Sequence, residues 1–143
     1  MIRMLISSAA IMLICGMSAT AFARERTQWD GVYTRAQSER GHASYEKACA
    51  SCHTSDLTGR DQAPALIGKG FGLNWDNFTI GELFERIKFT MPQTEPNSLP
   101  ASVVADIITY ILMKNGYMPG AEELSPKPDA MNEIHFRAEK PAD

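Results

Sequence analysis

The sequence is short of several things that would each have pointed elsewhere. Cysteine and histidine occur only three times each in 143 residues, and 10 glycines with 8 prolines show no collagen-like, repeat or low-complexity bias. Basic residues are outnumbered, 14 against 17 acidic, for a formal net charge of −3. That balance excludes the basic footprint of a nucleic-acid binder and favours a protein whose partners offer a neutral or basic patch. β-type alternation of useful length is missing, so an all-α domain is expected. There is no recognisable Ser-His-Asp set, carboxylate pair or phosphate loop, so catalysis by the polypeptide itself is not expected.

Long apolar runs are equally scarce. The run Met4–Ile14 is preceded by Arg3 and followed by Ala21-Phe22-Ala23. It is too short to span a bilayer and reads as a secretory signal peptide over residues 1–23, with an uncleaved anchor as the rival. Cleavage would remove Cys15, and the bulky Ile14 before it argues against lipid anchoring. Residues 24–143 then carry a net charge of −4, since Arg3 is the single charged residue before them. They predict no membrane span, a periplasmic location and one modest core, which excludes a large multi-domain enzyme.

What remains of the cysteines is a pair, in Cys49-Ala50-Ser51-Cys52-His53. C-x-x-C-H is the attachment pattern of c-type haem. Two thiols at this spacing reach the two vinyl groups of one porphyrin edge, and the imidazole that follows lies under the iron as proximal ligand. A zinc site would need a second Cys or His pair, which His42 and His135 do not supply. A thioredoxin-type pair would need a βαβ context. A plain disulfide leaves His53 unexplained.

A sixth iron ligand must come from elsewhere. Four methionines lie outside the signal: Met91, Met113, Met118 and Met131. Met91 follows a predicted helix, 38 residues after His53, and Pro92 and Pro96 stiffen its segment. It is the expected axial ligand, with Met118, His42 or an open site as alternatives. Met113 reads as core filler, His42 as a helix-surface residue and His135 as solvated.

The pattern predicts three main helices. The first runs from Thr34 or Ala36 to Cys49, and its Gly41 and Tyr45 share a face suited to close contact with another helix. The second starts at Thr79, where Glu82 completes a capping box, and its stripe is Ile80, Leu83, Phe84 and Ile87. The third runs from Ser98, as its cap, to Asn115, with Gly116 as terminator and a face of Val103, Val104, Ile107, Ile108, Ile111 and Leu112. Residues 54–76 read as a long functional loop. In it Pro64-Ala65-Leu66 can approach the haem on its proximal side, a backbone carbonyl there can accept the outer N–H of His53, and Trp75 can line the haem edge or fill the core. Residues 24–35 form a lead-in, 36–120 the folded domain, and 121–143 a Pro-rich charged tail that wraps the surface or stays partly disordered.

Taken together, Gly41, Tyr45, Cys49-x-x-Cys52-His53, Pro64, Leu66, Met91-Pro92 and Tyr110 resemble a class I c-type cytochrome over roughly residues 36–117. That resemblance implies the cytochrome c fold, three main helices wrapped around one haem c held by Cys49 and Cys52. It also implies that the first and last helices cross at the glycine, that the Pro carbonyl bonds the proximal His53, and that Met91 is the distal ligand. The segments Trp29-Asp30-Gly31-Val32-Tyr33-Thr34 and Asn115-Gly116-Tyr117 resemble monohaem cytochromes serving exported quinoprotein dehydrogenases. The expected function is a periplasmic one-electron carrier between a dehydrogenase donor and an oxidase or another cytochrome as acceptor. One alternative is an open-site haem protein acting as peroxidase or gas sensor; another is a haem-free module with a Cys49–Cys52 disulfide.

Overall fold

Thr34 opens the first helix by accepting the Gln37 N–H on its hydroxyl at 3.2 Å, and α1 runs Arg35–Ala48. The computed structural model describes residues 24–142, so the expected signal segment lies outside the described residues. After α1 come the single turn α2 (Ala50–His53), α3 (Lys69–Trp75), α4 (Ile80–Thr90), α5 (Ala101–Lys114) and α6 (Pro128–Asn132). Two-residue strands β1 (Arg26–Thr27) and β2 (Ile134–His135) pair in parallel, Arg26 opposite Ile134. The fold is mostly helical, as expected, with this one small ladder added.

α5 is the centre of the core. Val104, Ile107, Ile108, Ile111 and Leu112 are almost fully buried along it, each worth roughly 1.5–3 kcal/mol over exposure. α1 crosses it at Gly41, where an added Cβ would stand 1.9 Å from the Asp106 carbonyl oxygen and 3.1 Å from Tyr110 Cβ. One turn on, Tyr45 packs its ring 5.2 Å from that of Tyr110 and donates its hydroxyl to the Thr54 carbonyl at 2.8 Å. Arg40 bridges the crossing, with Nε and Nη2 on the two Asp106 oxygens and Nη1 on Glu123. α4 lays its stripe of Ile80, Leu83, Phe84 and Ile87 into the same core, started by the Thr79–Glu82 capping box.

Three local expectations are corrected. Ser98 does not cap α5, because Leu99, as the residue before a proline, is pushed out of helical conformation and the helix starts at Ala101 with Pro100 as its N-cap. Ser98 instead donates its backbone N–H to Glu95 in a turn. The stretch expected to be loop to residue 76 ends in α3, paid for in packing by the burial of Phe71 against Trp75 and Phe136. His135 is half-buried in β2 with Nδ1 3.7 Å from Glu25, rather than solvated.

The chain after Gly120 joins the core. Leu124, Met131, Ile134 and Phe136 are at most 3% exposed. The two chain ends are also tied to each other. Gln28 donates to the Arg137 carbonyl and accepts its N–H, Trp29 Nε1 donates to that carbonyl, and Glu25 pairs with the Arg137 guanidinium. Tyr33 donates its hydroxyl to the Tyr117 carbonyl at 2.5 Å and accepts Gly120 N–H on its own carbonyl.

Gly41→Ala must push the two helices apart, and is expected to cost about 2–3 kcal/mol in guanidinium unfolding. Burial raises the Tyr33 phenol to about 12 from its ordinary 10.0. The folded state therefore holds that proton more tightly than the unfolded chain, so this stabilisation is complete below pH 10 and is lost as the pH rises toward 12. Tyr33→Phe is expected to flatten the alkaline limb of a stability–pH curve; an unchanged limb would assign it to other groups.

Candidate haem-attachment site

The helix axis breaks at Cys49, whose φ of −124° ends α1 and starts α2. Its N–H still bonds Tyr45 O at 2.8 Å, and its own carbonyl receives the N–H groups of Cys52 and His53 at 3.1 and 2.9 Å. Cys49, Cys52 and His53 therefore stand at positions i, i+3 and i+4 on one face of a single turn. Cys49 is half-buried against the core and Cys52 is exposed; both thiols are free. Burial pushes the Cys49 thiol up to about 11. A thiolate is disfavoured there, whereas a neutral thioether carries no charge to desolvate. Among the described residues no group of three or more His, Cys, Asp or Glu is placed to hold a metal, which leaves the zinc reading without a ligand set.

The imidazole is oriented by the following loop. His53 Nδ1 lies 2.9 Å from the Pro64 carbonyl oxygen. A carbonyl only accepts, so Nδ1 carries the hydrogen and Nε2 presents its lone pair to a metal. The loop reaches this position by folding back on itself. Gly59, at φ +73°, donates its N–H to the His53 carbonyl at 3.0 Å and lies under the Ala63–Ala65 backbone. An added Cβ would sit 2.3 Å from Ala63 O and 2.7 Å from the Pro64 carbonyl carbon. Leu57 is fully buried and accepts the Leu66 N–H at 2.8 Å. The Asp56 carboxylate is held down to about 2 by the hydroxyls of Thr54 and Thr58 and the Thr58 N–H, which fixes the turn directly after His53.

Met91 is the C-cap of α4, with its N–H on Ile87 O at 3.0 Å. Its segment is tied to α4 by Lys88, whose ammonium bonds the carbonyl and side-chain oxygen of Asn97. The other methionines have different positions: Met113 accepts a hydrogen bond from Ser38, Met131 is fully buried and Met118 is 69% exposed. Met91 alone is half-buried with its sulfur in no hydrogen bond among the described residues. His42 stacks on Tyr110 at 4.6 Å and faces Glu46 at 3.5 Å on the surface of α1.

Trp75 belongs to an aromatic cluster, with ring centroids 6.5 Å from Phe71, 5.8 Å from Phe78 and 6.1 Å from Phe136. Leu66, Ile67, Trp75, Met91, Leu99 and Val103 are partly exposed apolar side chains packed on the core. They come from the loops carrying Pro64 and Met91 and from the helices after them. Two neutral thiols on one turn and an imidazole with Nε2 available fit haem c.

Gly59 and Asn115 carry roles beyond the loop glycine and helix end expected of them. The side chain of Asn115 donates to Leu66 O at 2.9 Å and to Ile111 O at 2.8 Å, and accepts the Gly68 N–H at 2.9 Å. Its place before Gly116 signalled a helix end, but nothing local signalled a tie to residues 66–68.

Residues 36–111, more than half of the chain, match the family model described as cytochrome c oxidase, cbb3-type, subunit III. No curated protein matches the chain. Among solved structures, the sulfane dehydrogenase SoxCD from Paracoccus pantotrophus is similar, with a TM-score of 0.53 and 18% identity over 82% of this chain and 68% of that one. At that identity the likeness shows the fold. The motif, the oriented imidazole and the matched residues agree: the chain belongs to this cytochrome c family, as a class I-like monohaem c-type cytochrome domain, which implies haem c and electron transfer through it.

Proposed function

We propose that the protein is an exported, periplasmic monohaem electron carrier that takes electrons from a dehydrogenase and passes them to an oxidase or another cytochrome. The observation that carries this reading is the C-x-x-C-H turn with its imidazole fixed on the Pro64 carbonyl. Haem c, when bound, supplies reversible one-electron cycling of Fe(II) and Fe(III).

The chain's own residues do the rest. Cys49 and Cys52 would hold the porphyrin edge through thioethers. His53 would hold the iron through Nε2, made more basic by the hydrogen bond from Nδ1–H to Pro64. Met91 would supply the second protein ligand to the iron, a thioether, which is a ligand type that raises the potential. The apolar side chains of Leu66 and Trp75 would help to keep water from the bound haem, which limits reorganisation when charge moves.

Export is supported by the signal pattern of residues 1–23, and none of the described helices is long and apolar enough to cross a membrane. A dehydrogenase donor is supported by two likenesses. One is to the cytochromes that serve exported quinoprotein dehydrogenases, carried by Trp29–Thr34 and Asn115–Tyr117. The other is the shared fold with a sulfane dehydrogenase structure. Partner contacts at such a redox edge are small and brief.

Two variants test the ligands, in a host with haem-attachment machinery. His53→Ala is expected to abolish stable coloured holoprotein; a normal low-spin product would remove His53 from the proximal role. Met91→Ala is expected to keep the haem attached, lose the weak far-red band of the oxidised protein, lower the potential and let CO bind the reduced form. An unchanged potential moves the sixth ligand elsewhere, and a wild type that already binds CO favours the open-site reading.

A further inference from the structure

We infer, on the reading of His53 as proximal ligand, that Asn115 is a positioning residue: it anchors the proximal loop to α5 so that the Pro64 carbonyl stays on His53. Asn115 lies at the end of the most buried helix, about fifty residues from the loop it holds. It uses both ends of its amide. Nδ2 donates to the carbonyl of Leu66 and, within its own helix, to that of Ile111, while Oδ1 accepts the N–H of Gly68. The loop backbone is thus gripped on either side of Ile67, and the bond to Ile111 fixes the amide against rotation.

The grip matters at Pro64 because that residue has no N–H of its own to tether it. Its carbonyl is placed by what lies on either side. Upstream, Gly59 packs under residues 63–65; downstream, Leu66 is held between Leu57 O and Asn115 Nδ2. Loss of the Asn115 amide leaves the Gly59 contact and the Leu57 bond in place but frees the downstream side from α5. The Pro64 carbonyl can then move relative to an imidazole that remains fixed by α2. A longer His53–Pro64 hydrogen bond makes the ligand less electron-rich and favours Fe(II).

The test compares holoprotein of Asn115→Leu with Gln37→Leu. Gln37 makes a similar double tie, to the N–H and C=O of Leu124, away from the site. Both variants are expected to lower the unfolding midpoint. Asn115→Leu alone is expected to raise the potential, by the equivalent of about a threefold to tenfold change in the Fe(III)/Fe(II) equilibrium, and to shift the NMR resonances of the ligand imidazole. Equal potentials in wild type and Asn115→Leu, or equal shifts in both variants, overturn the inference. Asn115→Ser, small and neutral, is judged by the same criteria if the leucine variant does not fold. A wrong proximal assignment shows itself separately, as a normal low-spin spectrum in His53→Ala.

Discussion

The contact of Gly41 with the Asp106 carbonyl sets the positions of both ends of the site. α1 and α5 approach so closely there that no side chain fits between them. Their C-terminal ends are consequently fixed relative to each other. One end carries Cys49, Cys52 and His53, and the other carries Asn115. Tyr45 and Tyr110 pack over the crossing, and Tyr45 reaches Thr54, the residue after the ligand histidine. The proximal loop spans the gap between these ends, so its shape is a consequence of the crossing as much as of its own residues.

That loop is held by its backbone. Thr54, Leu57, Gly59 and Asp61 all have positive φ, of which only the glycine adopts it without cost. Such conformations persist when the surroundings over-determine them. Here Leu57 is fully buried, Asp56 ties the hydroxyls of Thr54 and Thr58, and Gly59 bonds back to His53. The reward for these conformations is one carbonyl placed on one imidazole. A proline is suited to that place because its ring fixes φ and narrows the conformations open to the loop.

How much of this was legible in the sequence depends on the range of the interaction. Thr79 with Glu82 and the α4 stripe act within one or two turns, and they could be read directly. The haem motif is equally local, and Gly41 was legible because a glycine beside Tyr45 on one face implies a close neighbour. A carbonyl acceptor among residues 64–66 was legible through the chemistry of a ligating imidazole, and Pro64 in particular through the likeness to class I c-type cytochromes. The reading failed where a distant partner decides. α3 forms over glycines because Phe71 finds Phe136, and Asn115 grips a loop from the other end of the domain. The segment after Gly120 is rich in proline and charge, yet its four buried side chains are spaced too irregularly to announce a core face.

That C-terminal segment also answers a problem set by the haem motif. A domain of about 120 residues buries a limited fraction of its surface, and small domains often add disulfides to compensate. Outside residues 1–23 the chain has two cysteines, and haem attachment consumes both. Closure must come from non-covalent contacts. The ladder of β1 with β2, the Gln28–Arg137 exchange, the Glu25–Arg137 pair and the Tyr33–Tyr117 hydrogen bond join the two chain ends, on top of the buried Ile134 and Phe136. Phe136 then touches Phe71 and Trp75, so the strap that closes the chain also braces the aromatic cluster on α3. Stability and the rigidity that electron transfer demands are supplied here by the same side chains.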